Sequence, residues 1–316
     1  MKFSVVVPVH NNENTLERTL TSILSQSFDD FEVIVIDDAS TDRTSDVIAG
    51  VEDPRLRCAR RDVPGPGGYA ARNLGVGLAR GEFVTFLDAD DVWDEHHLAT
   101  MRDVCDRHPS VAFFGSGWRS IVGDIVTQNA FSRRMDGPDG YVDLETYFQL
   151  IRKRWPPVWT GVACLRVSAL ASTDVFPANT SIRRGGDAFA WLRLMCEHQA
   201  LVVSNHVGAT YMRDDSTVTR SADLNHELYS ADAYDELAAL VPMRLHSELR
   251  RHFNRALAFQ WIHGAIEDRP TFRIWKRIWK RDLDVLVATV TAASLLPQGF
   301  VRAILRRALT FRRREN

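Results

Sequence analysis

Two segments, FSVVVPV (3 to 9) and FEVIVIDD (31 to 38), are nearly continuous apolar runs rich in β-branched residues. Between them lies NTLERTLTSILSQSF, where Leu16, Leu20, Ile23 and Leu24 recur at the spacing of one helix face. This predicts a βαβ unit. Strands apolar on both faces belong to a parallel sheet covered by helices, with a right-handed crossover. A second helix is predicted from about Thr41, opened by STD, to Ala49. PRLRCARR then reads as a short strand, VPGPGGYAARNLGVGLARG as a loop opening into a helix, EFVTFL as a strand and DEHHLATMRDVCDRHP as a helix.

Beyond about residue 110 the pattern is less regular. VAFFGSGWRSIV and VWTGVACLRVSAL read as strands with a polar, Gly/Pro-containing connection between them, and GGDAFAWLRLMCEH as a helix entered through a Gly-Gly turn. ALVVSNHVGATYMRDDSTVT reads as one or two strands ending in an acid-rich loop, and from about Asn225 the chain is mostly helical. A length of 316 residues with ordinary apolar and charged fractions fits a globular chain of one large domain with an appendage. The expected boundaries are 1–222 for the main domain and 223–316 for a helical, basic extension.

Net charge is −2, but eleven of the 39 Lys/Arg and only three of the 41 Asp/Glu fall at or after Arg273. An acidic body thus carries a basic tail. Cys58, Cys105, Cys164 and Cys196 show no metal-ligand spacing, which argues against a disulfide framework or structural zinc and fits a reducing cytoplasm. The N-terminal apolar run is too short for a signal peptide or a span.

Two strands end in acids: Asp37 with Asp38, and Asp88 with Asp90 and Asp91. Ligands of open α/β sheets bind at the carboxyl ends of strands, so both clusters are expected to open into one crevice. Gathered carboxylates need compensation by a cation or by hydrogen-bond donors, and oxygen ligands suit Mg²⁺ or Mn²⁺. A lone Asp-x-Asp is also a common turn. GPGGYA superficially fits a dinucleotide fingerprint, but CARRDVP rather than an apolar strand precedes it. A nucleotidyltransferase would carry a Gly-rich basic loop after the first strand, and PVHNNEN is not one. Nucleic acid is a poor partner, because the basic residues lie beside no recognition fold.

In order and spacing, SVVVPVHNNENTLERTLTSILSQSFDDFEVIVIDDASTD, AARNLGVGLARGEFVTFLDADDVW and GGDAFAWLRL resemble the signature segments of family 2 glycosyltransferases. These are inverting nucleotide-sugar enzymes of the A-type fold. The resemblance implies an α/β architecture with a Rossmann-like mixed sheet flanked by helices, here followed by a C-terminal helical extension. It also implies a nucleotide-sugar donor, UDP-linked, with Mn²⁺ or Mg²⁺, and a glycan or lipid-linked acceptor.

Carried over by residue, the resemblance has Pro8, Val9, His10, Asn11 and Glu13 lining the nucleoside pocket. Asp38 would accept a hydrogen bond from the base, with Asp37 beside it. Arg72 and Asn73 would meet the diphosphate, Asp88 with Ala89 the ribose, and Asp90 the metal; Asp91 would fix the loop. Asp187 would be the base that activates the acceptor hydroxyl. Blander readings stay open: a capped turn for Asp37 and Asp38, a surface ion pair for Arg72, an N-cap for Asp187. Two positions depart from the family pattern. Gly186 stands where an acid is usual, and Asp214 where a metal-reaching histidine is usual, with Arg213 beside it as a phosphate partner. These departures leave a catalytically silent sugar-nucleotide or glycan-binding protein as an alternative. Trp155 and Trp159 are placed on the acceptor side, or in the core.

In the tail, FRIWKRIWKRDLDVLVATVTAASLLPQGFVRAILRR alternates basic and apolar residues, with Trp275 and Trp279 four apart on an expected helix face. Its longest uncharged run is broken by Pro297, too early for a span. A basic amphipathic helix with Trp on its apolar side suits an anionic membrane surface, whereas the bland reading is a helical cap with a solvated basic face.

Overall fold

The structure is a computed structural model that describes residues 1–178, 185–214, 226–266, 274–296, 299 and 301–305. It divides into two compact units, Met1–Asp223 and Leu224–Asn316.

The first unit is built on a ten-stranded mixed sheet of order β3-β2-β1-β4-β9-β6-β10-β5, with β7 paired to β6 and β8 to β10. The parallel part comprises β1 (Phe3–Val9), β2 (Phe31–Asp38), β3 (Leu56–Arg61) and β4 (Phe83–Phe86). Then come β5 (Val92–Trp93), β6 (Phe113–Val122), β7 (Ile125–Gln128), β8 (Asp139–Asp143), β9 (Cys164–Arg166) and β10 (Ala200–Met212). β9 is antiparallel to both β4 and β6, which makes the sheet mixed. The helices are α1 (Leu16–Leu24), α2 (Thr44–Ala49), α3 (Tyr69–Leu78), α4 (His97–Arg107), α5 (Leu144–Arg152) and α6 (Gly186–His198).

Every residue of β1, β2 and β4 is buried, as strands covered on both faces require. α1 turns Leu16, Thr19, Leu20 and Ile23 inward. α3 lies so close to β1 that a Cβ on Gly75 would strike the Val6 side chain. The last β1–β4 pair is Val6 with Phe86, and Pro8, which has no N–H to donate, follows two residues later. The two strands part there.

Two differences from the sequence reading stand out. VWTGVACLRVSAL forms only the three-residue β9, between 3₁₀ turns at Thr160–Val162 and Val167–Ala169. The polar connection before it holds β8 and α5, whose N-cap Asp143 accepts from Thr146 N–H at 2.7 Å. All four cysteines are free.

The second unit contains α7 (Ala231–Leu240), α8 (His246–Ile266) and α9 (Val285–Ala293) around Leu257, Trp261, Val287 and Val290. Trp275 and Trp279 do not share a helix face. They lie at two separate 3₁₀ turns, Trp279 packed on Tyr234 and Phe253 while Trp275 is exposed. The cause is Asn254, whose amide accepts from Trp279 N–H (2.8 Å) and donates to Trp279 O (2.9 Å), using backbone groups that a continuous helix would keep. Residues 306–316, with the terminal basic run, and residues 215–219 of the acid-rich loop lie outside the described residues.

Candidate active site

Three loops at the carboxyl edge of β1, β2 and β4 meet the first turns of α3 and α6. The β1 loop is tied to the β2 loop by its own polar groups. His10 Nδ1 lies 2.7 Å from Asp38 O, Asn11 N–H donates to Ser40 Oγ (3.1 Å), and Asn11 Oδ1 accepts from Thr41 N–H (2.8 Å). Asn11 adopts φ 54°, a left-handed conformation that Asn tolerates better than most residues. Pro8 and Val9 are buried, while His10 and Asn11 stay exposed at the crevice. Glu13 instead turns to the start of α2, where its carboxylate accepts from Arg43 N–H at 2.9 Å. It braces that loop.

Asp37 and Asp38 do not act as a pair. Successive strand residues point to opposite faces, and each meets its register neighbour on β3: Asp37 pairs with Arg60 and Asp38 with Arg61. Asp37 Oδ1 also accepts from Ser40 N–H (2.9 Å), so its carboxylate is spent on the turn. Asp38 Oδ2 accepts from Gly65 N–H (3.0 Å), which puts Asp38 on the side of the Gly-rich loop before α3. Of the two, Asp38 is the one tied to the loop that leads into α3. Arg60 and Arg61 were legible as partners only through the register of β2 with β3.

Arg72, in the first turn of α3, is the hub. Its guanidinium is 7% exposed, donates to Gly67 O (2.9 Å) and forms an ion pair with Asp88. It also lies over the rings of Tyr69 and Phe176, at 5.9 and 5.5 Å from their centroids. Burial works against its charge, but Asp88 and, more weakly, Asp187 outweigh that and raise its pKa. Asn73 has another task. Its amide accepts from Phe176 N–H (2.9 Å) and donates to Phe176 O (2.9 Å), clamping the 174–176 segment.

The three acids after β4 differ from one another. Asp88 is partly exposed and paired with Arg72, Ala89 is buried, and Asp90 is half-buried with its carbonyl accepting from Arg18 (2.7 Å). Asp91 is fully buried. Its Oδ1 accepts from Met212 N–H (2.8 Å) and its Oδ2 has no partner. Burial, then Asp90 and Asp88, raise its pKa well above the usual carboxylate value. Arg72 pairs with Asp88 and Arg18 reaches the Asp90 carbonyl, so the acids of this loop are partly compensated; as oxygen ligands they are of the type that suits Mg²⁺ or Mn²⁺, whose sites often take only one or two carboxylates with water and phosphate completing the shell. Asp214 has one oxygen engaged at another loop. Its Oδ2 accepts from Gly123 N–H (2.6 Å) at the β6–β7 hairpin, and the described residues contain no group of three His, Cys, Asp or Glu arranged for a metal. The neighbouring Arg213 is exposed.

Asp187 lies in the first turn of α6, where the helix dipole favours a carboxylate, and its Oδ2 is 3.5 Å from Thr160 Oγ1. Thr160 follows Trp159, whose ring packs against Trp118 (6.1 Å) and Tyr211 (5.1 Å). Trp155 is held elsewhere, between Arg134 and Lys153. Gly186 has no room for an acid: a Cβ there would sit 2.6 Å from Tyr69 Cζ and 2.9 Å from Pro177 Cγ. Tyr69, which no sequence signal singled out, fills that volume.

The family model described as Glycosyl transferase family 2 matches residues 4–166, more than half of the chain. The chain belongs to this family. An uncharacterised glycosyltransferase of Nostoc is 38% identical over 107 residues, 33% of this chain and 33% of that protein. The UDP-Glc:alpha-D-GlcNAc-diphosphoundecaprenol beta-1,3-glucosyltransferase WfaP of Escherichia coli is 37% identical over 129 residues, 41% of this chain and 50% of WfaP. The chain thus matches between a third and a half of the length of these relatives. The fold is that of S. aureus TarS 1-349, solved in complex with UDP-GlcNAc: TM-score 0.70 at 21% identity, covering 98% of this chain and 92% of the other. The expected mixed α/β sheet with C-terminal helices is borne out.

Proposed function

We propose that this family 2 protein is an inverting, divalent-metal-dependent glycosyltransferase that moves a sugar from a UDP-linked donor to a glycan or lipid-linked acceptor. The observation that carries it is the buried Arg72 guanidinium, paired with Asp88 on one side and within electrostatic reach of Asp187 on the other. One cation thus joins a candidate diphosphate site to a candidate base. The transfer that WfaP's name describes, from UDP-Glc to a diphosphoundecaprenol-linked sugar, supports the donor and acceptor classes.

In this reading Asp38 and the exposed His10 and Asn11 receive the nucleoside, and Asp88 the ribose. Arg72 offers the diphosphate the N–H groups that Gly67 and Asp88 leave over. Asp90 would hold the cation, which when bound supplies Lewis-acid stabilisation of the leaving diphosphate. Asp187 takes the acceptor hydroxyl proton, Thr160 orients its carboxylate, and Trp159 borders the acceptor side. A thermal-shift panel of nucleoside diphosphates tests the donor side. Stabilisation by UDP that requires Mn²⁺ or Mg²⁺ is expected, and a flat response across the panel would sink the assignment. Asp187→Asn should lower turnover by about 10²–10⁴-fold while sparing cation-dependent UDP binding; unchanged turnover would remove the base.

Attachment to an anionic membrane surface completes the reading. In α9 and the turn after it, Val285, Ala288, Thr289, Ala292, Leu295 and Leu296 form an exposed, uncharged stripe, with Val285 84% and Leu295 71% exposed. Val287 and Val290 face the opposite way, into the core. Exposed Lys276, Arg277, Lys280 and Arg281 precede the stripe, a combination suited to lipid headgroups and acyl chains. No helix among the described residues is long and apolar enough to cross a membrane. Co-sedimentation with anionic liposomes at low salt should be strong and should fall sharply for Val285→Glu with Leu295→Glu. Equal binding of the two proteins would overturn the attachment.

A further inference from the structure

α6 begins without a cap of its own. Its N-cap, Gly185, has no side chain and makes no side-chain capping hydrogen bond. The orphan amides of a helix start need acceptors. Here one comes from another element: Tyr69 Oη, carried on the first residue of α3, accepts from Gly186 N–H at 2.9 Å. Tyr69 is 3% exposed and stacks on Phe176 at 6.2 Å, and Phe176 is in turn clamped by Asn73. The phenol therefore has little freedom to move. Burial, then the nearby Asp187, push its pKa up to about 12, so it remains a neutral phenol at working pH.

We propose that Tyr69 is the positioning residue of the transfer reaction: it caps α6 from outside, fixes Asp187 against the acceptor, and couples that carboxylate to Arg72 on its own helix. The geometry is reciprocal. Tyr69 occupies the volume that a side chain at 186 would need, and Gly186 exposes the amide that the phenol takes. Because Tyr69 and Arg72 lie one helical turn apart on α3, the diphosphate side and the base side of the site share one rigid element.

This rests on the transfer reading, and the test separates the two. Tyr69→Phe keeps the ring and its packing and removes only the cap. Steady-state transfer from a UDP-sugar should show kcat lowered by about 10- to 100-fold, the effect of a base displaced by a fraction of an ångström to one ångström. The donor KM and cation-dependent UDP affinity should stay within about twofold, since neither depends on Asp187. A merely structural role would lower thermal stability and leave kcat intact. Tyr69→Phe should also add little further loss in an Asp187→Asn background, because both changes act through one carboxylate. Wild-type kcat in Tyr69→Phe, with Asp187→Asn inactive, overturns this proposal alone. A wild-type protein that consumes no UDP-sugar overturns the transfer reading and this proposal with it.

Discussion

Gly186→Ala sets two physical effects against each other. Gly186 opens α6 without a left-handed φ, so helix propensity alone favours Ala by about 0.5–1 kcal/mol. Against this, the new Cβ would lie 2.6 Å from Tyr69 Cζ, 2.7 Å from Cε2 and 2.9 Å from Pro177 Cγ, about 0.8 Å inside the 3.4 Å limit of ordinary contact. The ring cannot swing away, because Phe176 is stacked on it and Arg72 lies over it. Forcing a methyl into a filled site costs about 1–3 kcal/mol. The clash wins, and the net loss is about 1–2 kcal/mol. For a unit of this size that corresponds to a Tm lower by roughly 2–6 °C, read by differential scanning calorimetry. Relief by shifting the first turn of α6 would carry Asp187 with it, so kcat should fall by about 10- to 100-fold with little change in donor KM. A variant melting above the wild type with kcat within twofold would refute the close packing of Tyr69 on α6.

Two further outcomes are expected. His97 is fully buried with neither ring nitrogen hydrogen-bonded; burial, with His206 adding to it, lowers its pKa from 6.5 to about 3. Its native form stays neutral while the unfolded chain takes up a proton. Stability is therefore full above pH 6.5 and is lost as pH falls toward 3, by about 2 kcal/mol at pH 5. His97→Leu breaks no hydrogen bond and should flatten that acid limb, so parallel Tm loss of both proteins between pH 7 and 5 would refute it. Asn73→Ala removes both hydrogen bonds to Phe176 and should cost about 1–3 kcal/mol of stability. Its UDP affinity should hold near the wild type, whereas a lost affinity at unchanged Tm would return Asn73 to the diphosphate.

The parts of this fold that sequence reading reached are those with local causes. β1, α1, β2 and β4 announce themselves by apolar runs and a helical spacing that the sheet then buries completely. α5 carries an equally local signal in Asp143 followed by Leu144, Tyr147 and Phe148, although it lies inside a polar connection. The site divides along the same line. Asp88, Asp90, Arg72 and Asp187 follow from motifs next to strand ends and helix starts. Asn73, Glu13, Asp37 and Asp214 belong to the same motifs, but neighbours far along the chain claim their polar atoms: Phe176, Arg43, Arg60 and Gly123. Tyr69 was illegible for a related reason, since its partner lies 117 residues away on α6. A motif names the residues near a site. The hydrogen bonds each one has already made decide which can still bind.

That principle also separates the three carboxylates after β4. Asp88 has its compensating charge in Arg72, and Asp90 keeps its side chain at the half-buried rim while its carbonyl is held by Arg18. Asp91 is shut off from solvent with one carboxyl oxygen unpaired, which is expensive, and burial with Asp90 and Asp88 raises its pKa against the weaker pull of Arg18. The fold tolerates that cost because Asp91 is where three elements are tied: its amide donates to Asp88 O (3.0 Å), its carbonyl accepts from Thr19 of α1 (2.8 Å), and Oδ1 accepts from Met212 at the end of β10 (2.8 Å). These bonds fix the turn that presents Asp88 and Asp90. Asp91 thus acts through geometry: it holds in place the turn on which Asp88 and Asp90 are presented.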